Sequence, residues 1–217
     1  MFAEILPLLT KALGETIYMV IVSMAIASAI GVPLGVLLHT TARGQILENL
    51  FLNQTIGSIV NAVRSIPFII LMVAIIPLTR FLVGSAIGTT AAIVPLVIAS
   101  IPFIGRQVET SLKEVPAGLV EAALAMGATP AQIITKVLLP EALPGIVAQL
   151  TRVIIAHVGE SAMAGAIGGG GLGDLAIRYG YQRFRPEVML ATVVVLIVLV
   201  QLVQFAGNTL TKRLDKR

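Results

Sequence analysis

The 217-residue chain has no cysteine, no tryptophan and only two histidines. Without cysteine there is no disulfide framework, and His39 and His157 stand too far apart for any of the usual zinc spacings. Charge is scarce as well: 12% of residues are charged, where soluble domains carry about a quarter. No G-K-[ST] sequence occurs, so no P-loop is expected to hold ATP. The run from Gly168 to Gly173 formally matches G-x-G-x-x-G but follows an apolar helix rather than a strand, which excludes a dinucleotide site. Neither a Ser-His-Asp set nor paired carboxylates are apparent. Catalytic, cofactor and metal sites are therefore not expected, and the net charge of +4 belongs to a membrane protein's cytoplasmic side rather than to nucleic acid.

Apolar residues make up 57% of the chain and fall in long runs. A span takes roughly 20 residues, and the sequence predicts an all-α integral membrane protein, one domain over 1–217, with five spans near 17–39, 56–78, 89–111, 145–168 and 188–208. The first run is too long for a signal-peptide core and is read as a retained span. A polar connector over 40–54 carries Arg43 and Glu48, and a Gly84–Gly88 break precedes the third span. A glycine-, tyrosine- and arginine-rich loop leads to the fifth. Five spans put the termini on opposite sides. The tail (Lys212, Arg213, Lys216, Arg217) with Arg43, Arg106, Lys113 and Lys136 marks the cytoplasmic side, leaving Lys11, Arg80, Arg178, Arg183 and Arg185 outside.

Between the third and fourth spans, residues 116–140 interrupt the apolar pattern. Pro116 opens a short helix, and Gly127 stands where a helix ends in a left-handed residue. Thr129, Pro130 and Gln132 spell a capping box with proline at N1. The second helix is expected to stop before Pro140. The result is a knuckle: two short helices at an angle on a glycine hinge. Glu121, Ala122, Ala123, Gly127, Val137, Leu139 and Pro140 have the spacing of the EAA loop of ABC importer permeases, which this stretch resembles. The bland alternative is an amphipathic helix on the membrane surface without a partner.

Inside the spans three features stand out. Arg64 breaks an uncharged stretch from Asn49 to Thr79, and Pro67 follows it. This pair marks either a kink at the translocation path or an arginine reaching for the interface. His157 and Glu160 lie one turn apart on one helix face, either facing the pathway or bonded to each other for assembly. Ser161 and Met163 follow, among small residues (Ala162, Ala164, Gly165, Ala166) suited to close helix packing.

Residues 64–71, 125–130, 136–145, 161–163 and 179–181 extend the resemblance over nearly the whole chain, to the permeases of methionine ABC importers. Glu160 departs from that pattern, which has an uncharged residue there. The resemblance implies a five-transmembrane-helix ABC type I permease fold with cytoplasmic coupling helices. It implies a homodimer embedded in membrane lipid, two copies of an ABC ATPase that bind ATP and Mg, and a periplasmic or lipoprotein methionine-binding protein. It implies residence in the bacterial inner membrane with the N-terminus periplasmic and the C-terminus cytoplasmic. The seven EAA positions are then the ATPase-coupling residues, and Arg64, Pro67, His157, Glu160, Ser161 and Met163 the pathway or gating candidates. The residues alone leave open another amino acid or small organic solute, or an ion-coupled secondary transporter.

Overall fold

Hydrocarbon offers backbone groups no water, so a spanning chain satisfies its own N–H and C=O groups by forming helices. The computed structural model describes residues 2–215, with side chains from Ile5 onward; the tail residues Lys216 and Arg217 lie outside the described residues. In it α1 is Phe2–Thr40, α2 Leu50–Arg64, α3 Phe68–Ala74, α4 Ile76–Val83, α5 Thr89–Lys113, α6 Ala117–Ala125, α7 Pro130–Ile133, α8 Leu139–Ala164, α9 Gly171–Leu175 and α10 Pro186–Leu214. Wider π turns occupy Ile134–Leu138, Gly165–Gly169 and Ala176–Tyr181. Among the described residues no strand occurs.

Among the described residues, four helical stretches are long and apolar enough to cross a membrane: Ile5–Thr40, Thr89–Lys113, Pro130–Gly169 and Pro186–Leu214. A bent pair, α2 with α3, makes a fifth if counted as one span. The expected second span over 56–78 is thus not one straight helix. Pro67 has no N–H to give and keeps Ile66 out of the helical region, so α2 ends at Ser65 and α3 restarts after Pro67.

The fourth span differs too. Pro140 does not stop the chain: the Leu139 N–H bonds the Ile134 carbonyl, five residues back, and the helix continues through Pro140 and Pro144. The widened turn sits immediately before the proline, where the ordinary ladder loses a donor. The far end closes on a kink at Ile167 (φ −115°) and Gly168 (φ 101°). Beyond it, the expected loop is largely helical, as α9 and the Ala176–Tyr181 turns.

The chain divides into two compact units. One gathers residues up to Ala27, Ile66–Ser100 and Ile154–Phe205. Its core is Met19, Met72, Ala92, Ile93, Leu96 and Ala164, with a second cluster of Ile5, Ala12, Leu172, Leu175 and Val188. Here the glycine-rich run is packed and fixed. The Gly171 N–H donates to Glu15 Oε2 at 2.8 Å and the Leu172 N–H to Thr16 Oγ1 at 2.9 Å, so α1 caps the start of α9. A side chain on Gly173 would run into the Ala162 carbonyl.

The other unit holds Ser28–Ser65, Ile101–Val153 and the residues from Ala206 on. Here α1 and α5 approach through glycine. A Cβ on Gly35 would stand 2.5 Å from the Gly105 carbonyl oxygen and 2.6 Å from Val108 Cβ. A backbone carbonyl cannot turn away as a flexible side chain does. Gly35→Ala is therefore expected to cost about 1–3 kcal/mol through overpacking. Gly14→Ala, where nothing lies within 4 Å, is the control and leaves stability unchanged or raised. Thermal denaturation of the purified protein in detergent reads both.

Candidate functional site

The knuckle is built as two caps around one left-handed glycine. α6 ends in a Schellman arrangement: the Ala128 N–H bonds the Ala123 carbonyl at 3.0 Å and the Gly127 N–H the Leu124 carbonyl at 2.9 Å, with Gly127 at φ 76°. α7 begins with the capping box. The Gln132 N–H donates to Thr129 Oγ1 at 3.4 Å, and the Thr129 N–H to Gln132 Oε1 at 2.9 Å. Pro130 stands at N1. Ile133 and Leu138, both fully buried, anchor the second limb.

The seven EAA positions divide by exposure. Glu121, Ala122, Gly127 and Pro140 lie on the surface, Val137 and Leu139 are half-buried, and Ala123 is buried at 4% exposed. One helical step turns about 100°, so adjacent alanines cannot share a face; Ala122 is the one a partner surface can approach. Leu119, Leu124 and Met126, the last 81% exposed, extend the outward face with apolar surface. Beside Glu121, a cavity of about 340 Å³ is lined by Ala117, Val120 and Leu124 from α6, by Lys113, and by the buried His39.

His157 and Glu160 do meet. His157, 1% exposed, lies with Nδ1 2.8 Å from Ser100 Oγ and 3.2 Å from Glu160 Oε2, and with Nε2 2.5 Å from Ser23 Oγ. The ring thus joins α1, α5 and α8 inside one unit. An ionised carboxylate only accepts, whereas either serine hydroxyl can donate or accept at the ring. The two side chains are bonded to each other, with the Glu160 side chain partly exposed. Ser161 is buried and turns its hydroxyl to the Val158 carbonyl at 2.7 Å. Met163 points outward, 52% exposed.

Arg64 belongs to the other unit, half-buried, its guanidinium carbon 4.9 Å from the centroid of the Phe103 ring. Pro67 is exposed at the start of α3. Nearby in sequence, a charge network escaped the sequence reading. Glu109, 6% exposed, takes Arg106 Nη1 and Lys113 Nζ at 2.7 Å each. Arg106 also donates to the Gly57 carbonyl at 3.1 Å and Asn61 Oδ1 at 3.0 Å, binding α2 to α5. The 106, 109, 113 spacing was the available signal. For Glu15 and Thr16, whose partners lie 156 residues away, no local signal existed.

An all-helical membrane bundle whose spans flank a capped helical knuckle, with no catalytic constellation among the candidates, has the form of an ABC type I permease. Residues 31–217 match the family of binding-protein-dependent transport system inner membrane components. The chain belongs to that family, as a multi-pass inner-membrane permease of the ABC importer class. It is 58% identical over 97% of its length, and 93% of the relative's, to the probable D-methionine transport system permease protein MetI of Vibrio cholerae. It is 47% identical to the Pasteurella multocida protein of the same description, over 94% of each chain. Among solved structures, an inward-facing MetNI methionine ABC transporter superposes with TM-score 0.96 at 51% identity, over 97% of this chain and 98% of that one. An amino acid ABC transporter crystallised with histidines shares the fold, with TM-score 0.80 at 20% identity.

Removing the imidazole takes a partner from two buried hydroxyls, of which Ser23 keeps the Met19 carbonyl, and leaves a cavity. His157→Ala is expected to cost about 2–4 kcal/mol. Glu160→Gln retains a hydrogen-bonding partner for the ring and costs about 1 kcal/mol or less. Comparing denaturation midpoints of the two variants with the native protein checks the order; equal losses would mean that the carboxylate, not the ring, holds the cluster.

Proposed function

We propose that this chain is the transmembrane permease of an ATP-driven importer that carries methionine, as the D and L isomers and close analogues, across the bacterial inner membrane. The near-full-length 58% identity to the Vibrio cholerae D-methionine permease is the observation that carries the substrate. In this reading two copies pair. Each presents its knuckle to one of two ABC ATPase subunits, which bind ATP and Mg, and a periplasmic or lipoprotein methionine-binding protein delivers the solute. The permease performs no hydrolysis itself. The N-terminus is periplasmic and the C-terminus cytoplasmic, the side on which the knuckle's Glu121, Ala122 and Gly127 meet the ATPase.

The knuckle suits that task physically. Its outward face offers one carboxylate, a small residue that admits close approach, and exposed Leu124 and Met126. Both limbs are capped, so a displacement moves the element as a body instead of fraying it. The limb that begins at Pro130 runs on through the π turn into α8 as one 40-residue helical stretch. ATP drives transport by binding one arrangement of the complex better than the other, and in this reading that preference enters the permease through the knuckle.

Gly127 sits at φ 76°, a conformation closed to proline, whose ring fixes φ near −65°. Gly127→Pro is therefore expected to abolish ATP-dependent methionine uptake in reconstituted vesicles while the protein still inserts in the membrane. Pairing Gly127→Pro with Glu121→Ala is expected to lose the ATPase subunit during mild detergent purification, where the native chain retains it in stoichiometric amount. Undiminished uptake by the proline variant, or a native chain that purifies without any ATPase, would overturn the assignment of the knuckle.

A further inference from the structure

Three cavities are candidates for holding a small solute. The hollow of about 120 Å³ beside Ser111 and Gly145 is lined by Glu114, Glu141 and Asp215, and an array of carboxylates repels an anionic group. The cavity beside the knuckle contains Lys113, but that ammonium is held by Glu109 at 2.7 Å, and Glu121 stands at its edge. The third lies within the first unit. It has a volume of about 410 Å³ and is framed by α3, α4, the start of α5 and the kinked end of α8.

Its chemistry is different from the other two. The walls are apolar, and several are short: Gly88, Ala91, Ala92, Ala164 and Gly169 leave the room that Met72 and Ile76 border. The charged side chain that lines it is Arg80, which is exposed. Thr79 beside it is buried, its hydroxyl donated to the Ile75 carbonyl at 3.1 Å. The volume lies in the range of small-molecule pockets, which combine apolar walls with a few polar groups that fix orientation. A guanidinium at the rim of an apolar cavity is complementary to a molecule with a carboxylate at one end and an unbranched apolar chain at the other.

We propose that this cavity is a transient binding site for the transported solute, an amino acid with an unbranched apolar side chain, which places its carboxylate on Arg80 and its side chain among Met72, Ile76, Ala91 and Ile167. The site rests on the methionine reading of the permease. The ammonium group stays at the rim with the carboxylate, so the apolar interior has no second charge to compensate. Short walls accept a long, flexible thioether and leave a small side chain loosely held. The site therefore favours methionine over alanine by apolar contact.

The test uses the complete permease–ATPase complex in lipid nanodiscs, without binding protein, and labelled methionine in equilibrium dialysis. Saturable binding to the native complex is expected, with Arg80→Gln weakening it about tenfold or more, as befits loss of a charge-assisted contact. Arg80→Lys should recover part of the loss, and Ala86→Leu, which fills the cavity without touching the charge, should also weaken binding. Alanine should compete poorly. Native-strength binding in both Arg80→Gln and Ala86→Leu overturns the proposal, as does binding that phosphatidylglycerol displaces and excess unlabelled methionine does not. Uptake with the binding protein is measured in parallel. A native complex that takes up methionine but shows no saturable binding refutes the cavity alone, whereas absence of methionine uptake refutes the transport reading and the cavity's occupant with it.

Discussion

The structure depends on one constraint: in an apolar surround, each backbone N–H and C=O must find its partner within the chain. Eleven prolines and twenty glycines in 217 residues make that demand hard to meet. The chain meets it in three ways. Where proline removes a donor within α8, a π turn shifts the ladder just ahead of it, and the helix survives. Where proline also excludes its predecessor from the helical region, at Ile66-Pro67, the helix is given up and restarted. Hydroxyls are returned to the same ladder: Thr40, Thr41, Thr151 and Thr192 each donate to a carbonyl four residues back. Polar side chains that look like pathway features in a sequence are in these cases closed on their own helix.

The same demand explains which charges lie inside. A buried ion is tolerated when neighbours satisfy it, and breaking such a set costs more than never having made it. Glu109 is held between Arg106 and Lys113, and Arg106 gives two further donors to a carbonyl and an amide of α2. Arg64, three residues after Asn61, lies on an aromatic face. His157 gathers hydroxyls from two other helices and a carboxylate from its own. These clusters give an otherwise uniform apolar packing specific partners, fixing which turn of one helix stands against which turn of another.

Sequence reading succeeds here wherever the signal is local. The Gly127 stop, the Thr129–Gln132 capping box and the i, i+3 meeting of His157 with Glu160 need only a few consecutive residues, and all three stand in the structure. The long apolar runs likewise locate four membrane-length helices. Prolines are harder. Pro67 breaks a helix whereas Pro140 and Pro144 ride within one, because the outcome turns on the ladder around each residue. The glycine-rich run is held by distant residues: Glu15 and Thr16 pin the Gly171 and Leu172 N–H groups, and neighbouring backbone fills the space where side chains on Gly169 and Gly173 would stand.

The knuckle combines the two behaviours that glycine and proline provide. Gly127 supplies a sharp turn that costs little only because no Cβ is present, and the Schellman bonds on one side and the capping box on the other remove the freedom glycine would otherwise bring. Beyond Pro130 the chain has no comparable break until the kink at Ile167 and Gly168. A hinge that is geometrically sharp but conformationally closed changes the direction of a displacement without absorbing it. A flexible linker of the same length would absorb it. On the proposed reading, this is why the element that meets the ATPase is a short helix joined to the capped start of a long one and not a loop, and why its motif spans twenty residues: the turn needs its glycine, both caps and the proline-bearing entry to α8 together.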